Sequence, residues 1–430
     1  MSAMLFAVAV QGGDTPELLY ASEKYNATWP AQAIEDLNSD GVRDFVVIDC
    51  SWTRDCNGIV TVSGKDGTNL NVFPPVFDNR FFSESFLGVI SDQNGDGLED
   101  IMVYDAHSPF GVEEGAEFEG SIYCISSVSG ELLWNYEKDG YNLERHPINL
   151  IGMPDLDGDG RADFFATIRV HSRSEGWISV DLFSTGQNKV IATIIPPDGM
   201  EYDPPDNRMG IRLPDVTGDG IDDLGVPWTV ERSQPGANEV EALSIYDSKT
   251  LELVHTFTSN RSEETAYYGQ FMAATETDSG AKYLAVASPA ELIDAETQLY
   301  GRIYLYDLNE MKLLRTLIYP ENTRQVFYPY NGTGFLGDIT DDGTPELGAL
   351  NYVGDDDSEF IIYRNSTSDL YTRFVLGFPA PGSPEGIFPL PDISGDGIPD
   401  FALFSGDRMQ GYAAFSLGVP PEEGDGWMAR

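Results

Sequence analysis

Basic residues are scarce in this chain: 25 lysines and arginines face 71 aspartates and glutamates over 430 residues, a formal net charge of −46. A field of that sign repels polyanions, so nucleic acid and anionic membranes are not expected as partners. No apolar run approaches the roughly 18 residues of a membrane helix, which excludes membrane insertion by that route. Cysteine is limited to three residues. Cys50 and Cys56 flank a short turn between two expected strands, where a disulfide is sterically plausible and would suit an oxidising compartment; reduced thiols are the alternative. Cys124, in the strand GSIYCISS, reads as a buried hydrophobe. Histidine is limited to four, and no serine or cysteine nucleophile motif is present. Acid–base or transition-metal chemistry therefore has little to draw on beyond His107, His146 and His171, in loops near Arg145 and Arg173.

What the chain has in quantity is regularly spaced carboxylate. Asp155 to Asp163 reads DLDGDGRAD, with oxygen-bearing side chains at the first, third, fifth and ninth places and glycine at the sixth. Ca²⁺ takes six to eight oxygens, and donors at alternate places converge on it when glycine turns the backbone sharply and the seventh residue offers its carbonyl. Without a cation, carboxylates about 4 Å apart repel by roughly 4 kcal/mol per pair at an effective dielectric of 20. The loop is not an EF-hand, because its twelfth place is Ala166 rather than a bidentate Glu, and the following FFATIRV favours a strand.

Five more copies follow the same rule: DLNSDGVRD from Asp36, DQNGDGLED from Asp92, DVTGDGIDD from Asp215, DITDDGTPE from Asp338 and DISGDGIPD from Asp392. The expected ligands are Asp36, Asn38, Asp40, Asp44 and the Val42 carbonyl; Asp92, Asn94, Asp96, Asp100 and Leu98; Asp155, Asp157, Asp159, Asp163 and Arg161; Asp215, Thr217, Asp219, Asp223 and Ile221; Asp338, Thr340, Asp342, Glu346 and Thr344; Asp392, Ser394, Asp396, Asp400 and Ile398. Calcium at about six sites is the expected cofactor. Glu346 and the hydroxyls of Thr217, Thr340 and Ser394 depart from the Asp/Asn pattern, so the loops that contain them are expected to hold metal more weakly than the Asp155 loop.

The copies recur about sixty residues apart, with one gap of about twice that, so a seventh repeat falls near residue 275. There Thr275, Thr277, Ser279 and Tyr283 stand in the ligand places, and this repeat is expected to have lost its metal. Each repeat reads as four short strands, one before the loop, one after it, then a hairpin. In the fifth they fall near Gly269–Ala274, Tyr283–Ser288, Gly301–Asp307 and Lys312–Ile318, and GRIYLYD alternates as a half-buried strand does. The last repeat lacks a fourth strand, while PELLYASEKY from Pro16 resembles the fourth strand of repeat 2, GELLWNYEKD. The expectation is therefore an all-β, seven-bladed propeller over residues 16–418, closed by residues 17–23 in the last blade, with tails at 1–15 and 419–430. MSAMLFAVAV, with its Ala7-Val8-Ala9, reads either as a signal-peptide remnant or as a frayed terminus.

The chain resembles the FG-GAP repeats of the integrin α-subunit propeller and the related VCBS-type repeats of secreted bacterial proteins. The aromatic–glycine before the loop is matched at Tyr268-Gly269 and Met209-Gly210, more loosely at Phe86-Leu87-Gly88 and Phe335-Leu336-Gly337, and the GAP-like strand end at Ala287-Ser288-Pro289. Six calcium loops favour the bacterial relatives. The resemblance implies an extracellular or cell-envelope protein that binds a protein or glycan ligand, or serves as a scaffold, on the face opposite the metals. Trp52, Arg80, His146, His171, Arg208, Trp228 and Tyr328 are the candidate contacts there, as aromatic rings beside cations suit sugars or acidic peptides, although rings at blade junctions commonly only pack. The alternative is a polysaccharide-active, lyase-like enzyme using the same face.

Overall fold

The computed structural model describes residues 7–9, 17–21, 27–50, 56–74, 86–107, 119–137, 145–171, 176–196, 200–201, 210–230, 240–258, 265–266, 268–269, 271–288, 290–291, 302–318, 332–352, 358–367, 370–377, 384–405 and 411–417. They form seven antiparallel four-stranded blades arranged in a ring, with no helix. Blade 3 shows the plan: Arg145–Gly152, Phe164–His171, Gly176–Ser184 and Lys189–Ile194, each paired to the next. Blade 5 runs Phe271–Glu276, Lys282–Ser288, Arg302–Asp307 and Lys312–Ile318.

The two faces of each blade explain the sequence pattern. Side chains alternate across a strand, and here both faces are buried, one against each neighbouring blade. In blade 3, Phe164, Ala166 and Ile168 pack towards blade 2, while Phe165 between them packs towards blade 4. In blade 1, Phe45 and Val47 face blade 7, and Val46 and Ile48 face blade 2. Seven apolar clusters result, one at each junction, and the cluster joining blades 1 and 7 closes the ring.

The last blade is completed by the N-terminal segment, as the sequence leads one to expect: Glu17–Ala21 pairs with Gly411–Ser416, Leu18 opposite Phe415. Within the segment 1–15, Ala7–Ala9 adds a fifth strand to the outer edge of blade 6, Val8 opposite Leu376. Residues 419–430 lie outside the described residues. Cys50 and Cys56 are register partners in blade 1, with side chains outside the described residues, and Cys124 is buried.

Candidate metal centres

In every blade but the fifth an acidic loop joins the first strand to the second. All six loops share one internal framework. Its keystone is the first-place carboxylate, which accepts several backbone N–H groups of its own loop. Asp155 takes Gly158 (2.7 Å) and Asp159 (3.2 Å) on Oδ1 and Gly160 (2.8 Å) on Oδ2, and Asp392 takes Gly395 (2.6 Å), Asp396 (3.1 Å) and Gly397 (2.8 Å) likewise. Desolvation works against ionisation at these places, yet the N–H groups outweigh it and hold Asp36, Asp92, Asp215 and Asp392 below the ordinary carboxylate range.

Curling the backbone round that carboxylate needs left-handed residues at two places. The sixth is always glycine, with φ between 85° and 92° at Gly41, Gly97, Gly160, Gly220, Gly343 and Gly397. The fourth is left-handed too, at Gly95, Gly158, Gly218 and Gly395, but also at Ser39 (62°) and Asp341 (55°), where a Cβ makes that conformation costly. The sequence reading explains the sixth-place glycine and misses the fourth.

The fifth-place carboxylate accepts the N–H of the seventh residue in every loop: Asp40 from Val42 (3.0 Å), Asp96 from Leu98 (3.0 Å), Asp159 from Arg161 (3.0 Å), Asp219 from Ile221 (2.9 Å), Asp342 from Thr344 (3.0 Å) and Asp396 from Ile398 (2.8 Å). The third-place groups also hold the turn. The side-chain oxygens of Asn38, Asn94 and Asp157 accept the fifth residue's N–H at 2.9, 2.8 and 3.0 Å. Hydroxyls at that place donate instead, Thr217 to Asp215 (3.3 Å), Ser394 to Asp392 (3.2 Å) and Thr340 to Glu346 (2.8 Å).

The ninth-place residue behaves differently from the other three. Asp44, Asp100, Asp163, Asp223, Glu346 and Asp400 are all buried. One oxygen accepts the second residue's N–H, at 2.7 Å from Leu37, Gln93 and Val216, 2.8 Å from Leu156 and Ile393, and 2.6 Å from Ile339. In four blades the other reaches backbone just past the third strand: Gly64 (3.1 Å), Ser127 (3.4 Å), Thr185 (3.4 Å) and Ser248 (3.3 Å). In blade 7 the Ser416 hydroxyl stands between two carboxylates, donating to Asp396 Oδ2 at 2.7 Å and acting on Asp400 as well. Desolvation raises Asp44, Asp100 and Asp163 to about 6 and Glu346 to about 7, and shifts Asp223 and Asp400 the same way.

Carboxylates converge most closely in two loops. Ligand atoms of Asp155, Asp157 and Asp159 lie within 4.8 Å of one another, as do those of Asp338, Asp342 and Glu346. Glu346 joins its cluster because it is one methylene longer than aspartate. The donor sets contain oxygen alone, which suits a hard divalent cation.

The blade 5 connection is a short hairpin closed by its own groups. Thr277 N–H donates to the Ala281 carbonyl (2.9 Å), Gly280 N–H to the Thr277 carbonyl (2.8 Å), and Asn309 brackets it by accepting Lys282 N–H (2.7 Å) and donating to Gly280 (3.1 Å). The Lys282 ammonium donates across the junction to the Asp215 carbonyl of the blade 4 loop.

The candidate ligand contacts fare unevenly. Trp228 is fully buried, packed with Phe165, Val180, Leu182 and Ile194 between blades 3 and 4. It shares strand parity with Leu224 and Val226, which pack there too, so its ring is core rather than a surface for ligand. The backbone places His146 and His171 at the end of blade 3 opposite its acidic loop, in adjacent strands; their side chains lie outside the described residues, as do Trp52, Arg80, Arg208 and Tyr328 altogether.

No family model matches the chain, and neither does any curated protein. Among solved structures it is similar to the Dos1 propeller, at 10% identity over 94% of this chain and 96% of that one with a TM-score of 0.43. It is similar to the β-propeller domain of the trilobed protease from Pyrococcus furiosus, at 11% identity over 93% and 98% with a TM-score of 0.43. Kuenenia stuttgartiensis hydrazine synthase is similar at 12% identity over 84% and 88%, with a TM-score of 0.46.

Proposed function

We propose that this propeller is an extracellular, calcium-stabilised binding or scaffold module of the FG-GAP/VCBS type, with its protein or glycan ligand on the face opposite the acidic loops. The observation that carries the reading is the loop framework: six strand connections hold oxygen-only donor groups on a backbone already curled around a point. Calcium fits that donor set and count, and extracellular modules work with dissociation constants of about 10⁻⁴ to 10⁻³ M, within reach of such loops. The ion's part is structural. It offsets repulsion among the loop carboxylates and ties the first-to-second strand turn together.

The residues that would hold it are the first-, third-, fifth- and ninth-place side chains with the seventh-place carbonyl, as enumerated from the sequence. The ninth carboxylate would keep the second residue's N–H on one oxygen and share the other, which in four blades also accepts a backbone N–H past the third strand, with the ion. An ion that binds only the folded state stabilises it by about 2.7 kcal/mol per site at a hundredfold excess over Kd.

The test is melting with and without calcium. Chelation lowers the midpoint by many degrees, and Asp159→Ala reduces the number of ions bound by one. Melting indifferent to chelator, in a sample shown to have lost its metal, overturns the structural role. A glycan array probed with and without calcium then addresses the ligand class; retention of no glycan moves the reading to a protein partner.

A further inference from the structure

The six fifth-place carboxylates differ in what holds their second oxygen. In four loops it is a hydroxyl: Ser63 to Asp40 Oδ2 (3.2 Å), Ser184 to Asp159 Oδ2 (3.1 Å) and Ser416 to Asp396 Oδ2 (2.7 Å) from the end of the third strand, and Ser366 to Asp342 Oδ2 from the turn that follows it, Arg364 standing in the strand-end place of blade 6. Ser63, Ser184 and Ser416 are themselves buried. In blade 2 the equivalent Ser126 accepts the N–H groups of Val128 (3.3 Å) and Ser129 (3.2 Å), and Asp96 Oδ2 instead accepts the Asn94 side-chain amide at 3.0 Å. In blade 4, Asp247 stands in the serine's place and caps its own turn through Lys249 and Thr250, both at 2.8 Å. Asp219 Oδ2 there faces the Lys249 ammonium at 4.0 Å, and Lys282 places a second ammonium on the Asp215 carbonyl; in blade 1 the equivalent Lys65 turns its ammonium to the Asp40 carbonyl at 3.2 Å instead, leaving the carboxylate oxygen to Ser63.

We propose that these groups at and just past the third strand set the cation affinity of each loop: Ser63, Ser184, Ser366 and Ser416 are positioning residues that hold the fifth-place carboxylate for a hard divalent cation, whereas Lys249 opposes it. The inference rests on the calcium reading above. A carboxylate with one oxygen on a hydroxyl and the other on the seventh residue's N–H has its plane fixed before the ion arrives, so less freedom is lost on binding. The hydroxyl is neutral and leaves the carboxylate's charge intact, while an ammonium at the same oxygen repels the incoming ion. The loops of blades 1, 3, 6 and 7 therefore form a tight class and those of blades 2 and 4 a weaker one. Ranking by ligand type alone would instead group blades 6 and 7 with blade 4.

Calorimetric titration of calcium into the metal-free full chain tests this. Six ions in two affinity classes are expected for the wild type. Ser184→Ala weakens one tight site about tenfold, the usual effect of removing an outer-sphere partner; Ser184→Thr restores it, and Lys249→Met tightens one weak site. The midpoint of Ser184→Ala in chelator stays at the wild-type value. Wild-type affinities at all sites in Ser184→Ala, or a midpoint lowered as much in chelator as in calcium, overturn the proposal while leaving the calcium reading standing. A wild-type chain that takes up no calcium overturns both.

Discussion

Glu35 and Glu99 exchange hydrogen bonds across the junction of blades 1 and 2: Glu35 N–H donates to Glu99 Oε2 at 2.9 Å, and Glu99 N–H to Glu35 Oε2 at 3.2 Å. Two carboxylates so placed need a cation, and Arg43 supplies one, 3.2 Å from the same Glu99 oxygen. Desolvation raises Glu99, with Arg43 acting in the opposite direction. Because Glu99 accepts two donors, Glu99→Ala is expected to lower stability by about 1 kcal/mol. Glu99→Gln, which keeps an acceptor, should cost less. Equal losses by denaturant melting would show that charge rather than hydrogen bonding matters there.

Gly186 touches the blade 3 site without being one of its ligands. A Cβ built on it falls 2.0 Å from Asp159 Oδ2, so Gly186→Ala must push that carboxylate aside. Loss of one bound calcium with an otherwise native circular dichroism spectrum is expected. Unchanged stoichiometry and affinity would mean that the carboxylate has somewhere else to go.

Acidity should act on the metal-free protein in an unusual direction. Asp44, Asp100 and Asp163 at about 6 and Glu346 at about 7 bind protons more tightly when folded than unfolded. Their folded-state advantage is complete below their ordinary values and disappears as pH rises through 6 to 7. Metal-free protein is thus expected to melt higher at pH 5 than at pH 7.5. Calcium, which takes the deprotonated form, should reverse the order. A metal-free midpoint that rises with pH over this range would contradict the burial of these groups.

Trp228→Ala should cost about 3–5 kcal/mol through the cavity it leaves, with or without calcium. A stable variant with altered ligand capture would return that ring to the binding face.

Period and parity made the architecture readable. Hydrophobic alternation in GRIYLYD and the spacing of DxDxDG-like loops each depend on local chain geometry, which sequence displays directly. The same parity argument, applied to Leu224, Val226 and Trp228, would have placed the tryptophan in a junction. Residue type rather than parity suggested a ligand contact. Glu346 stands out in the sequence only as a departure from aspartate; that its carboxylate converges with Asp338 and Asp342 is a matter of reach that a pattern of letters does not display. The serines at and just past the third strand were invisible for a different reason: they lie 20 to 25 residues downstream of the carboxylates they bind, and only strand pairing brings them close.

The pairing of Leu18 with Phe415 carries a kinetic consequence. The strand Glu17–Ala21 precedes blade 1 in the chain but cannot find its place until the last blade has emerged, so until then the ring stays open, with one sheet edge bare. Closing a loop of nearly the whole chain is entropically slow to reach, although each doubling of length adds only about 0.6 kcal/mol, and topologies dominated by such distant contacts fold slowly. The interval before closure is when another chain's strand could capture that edge. Yield on refolding should therefore fall with protein concentration more steeply than the stability of the finished ring would suggest.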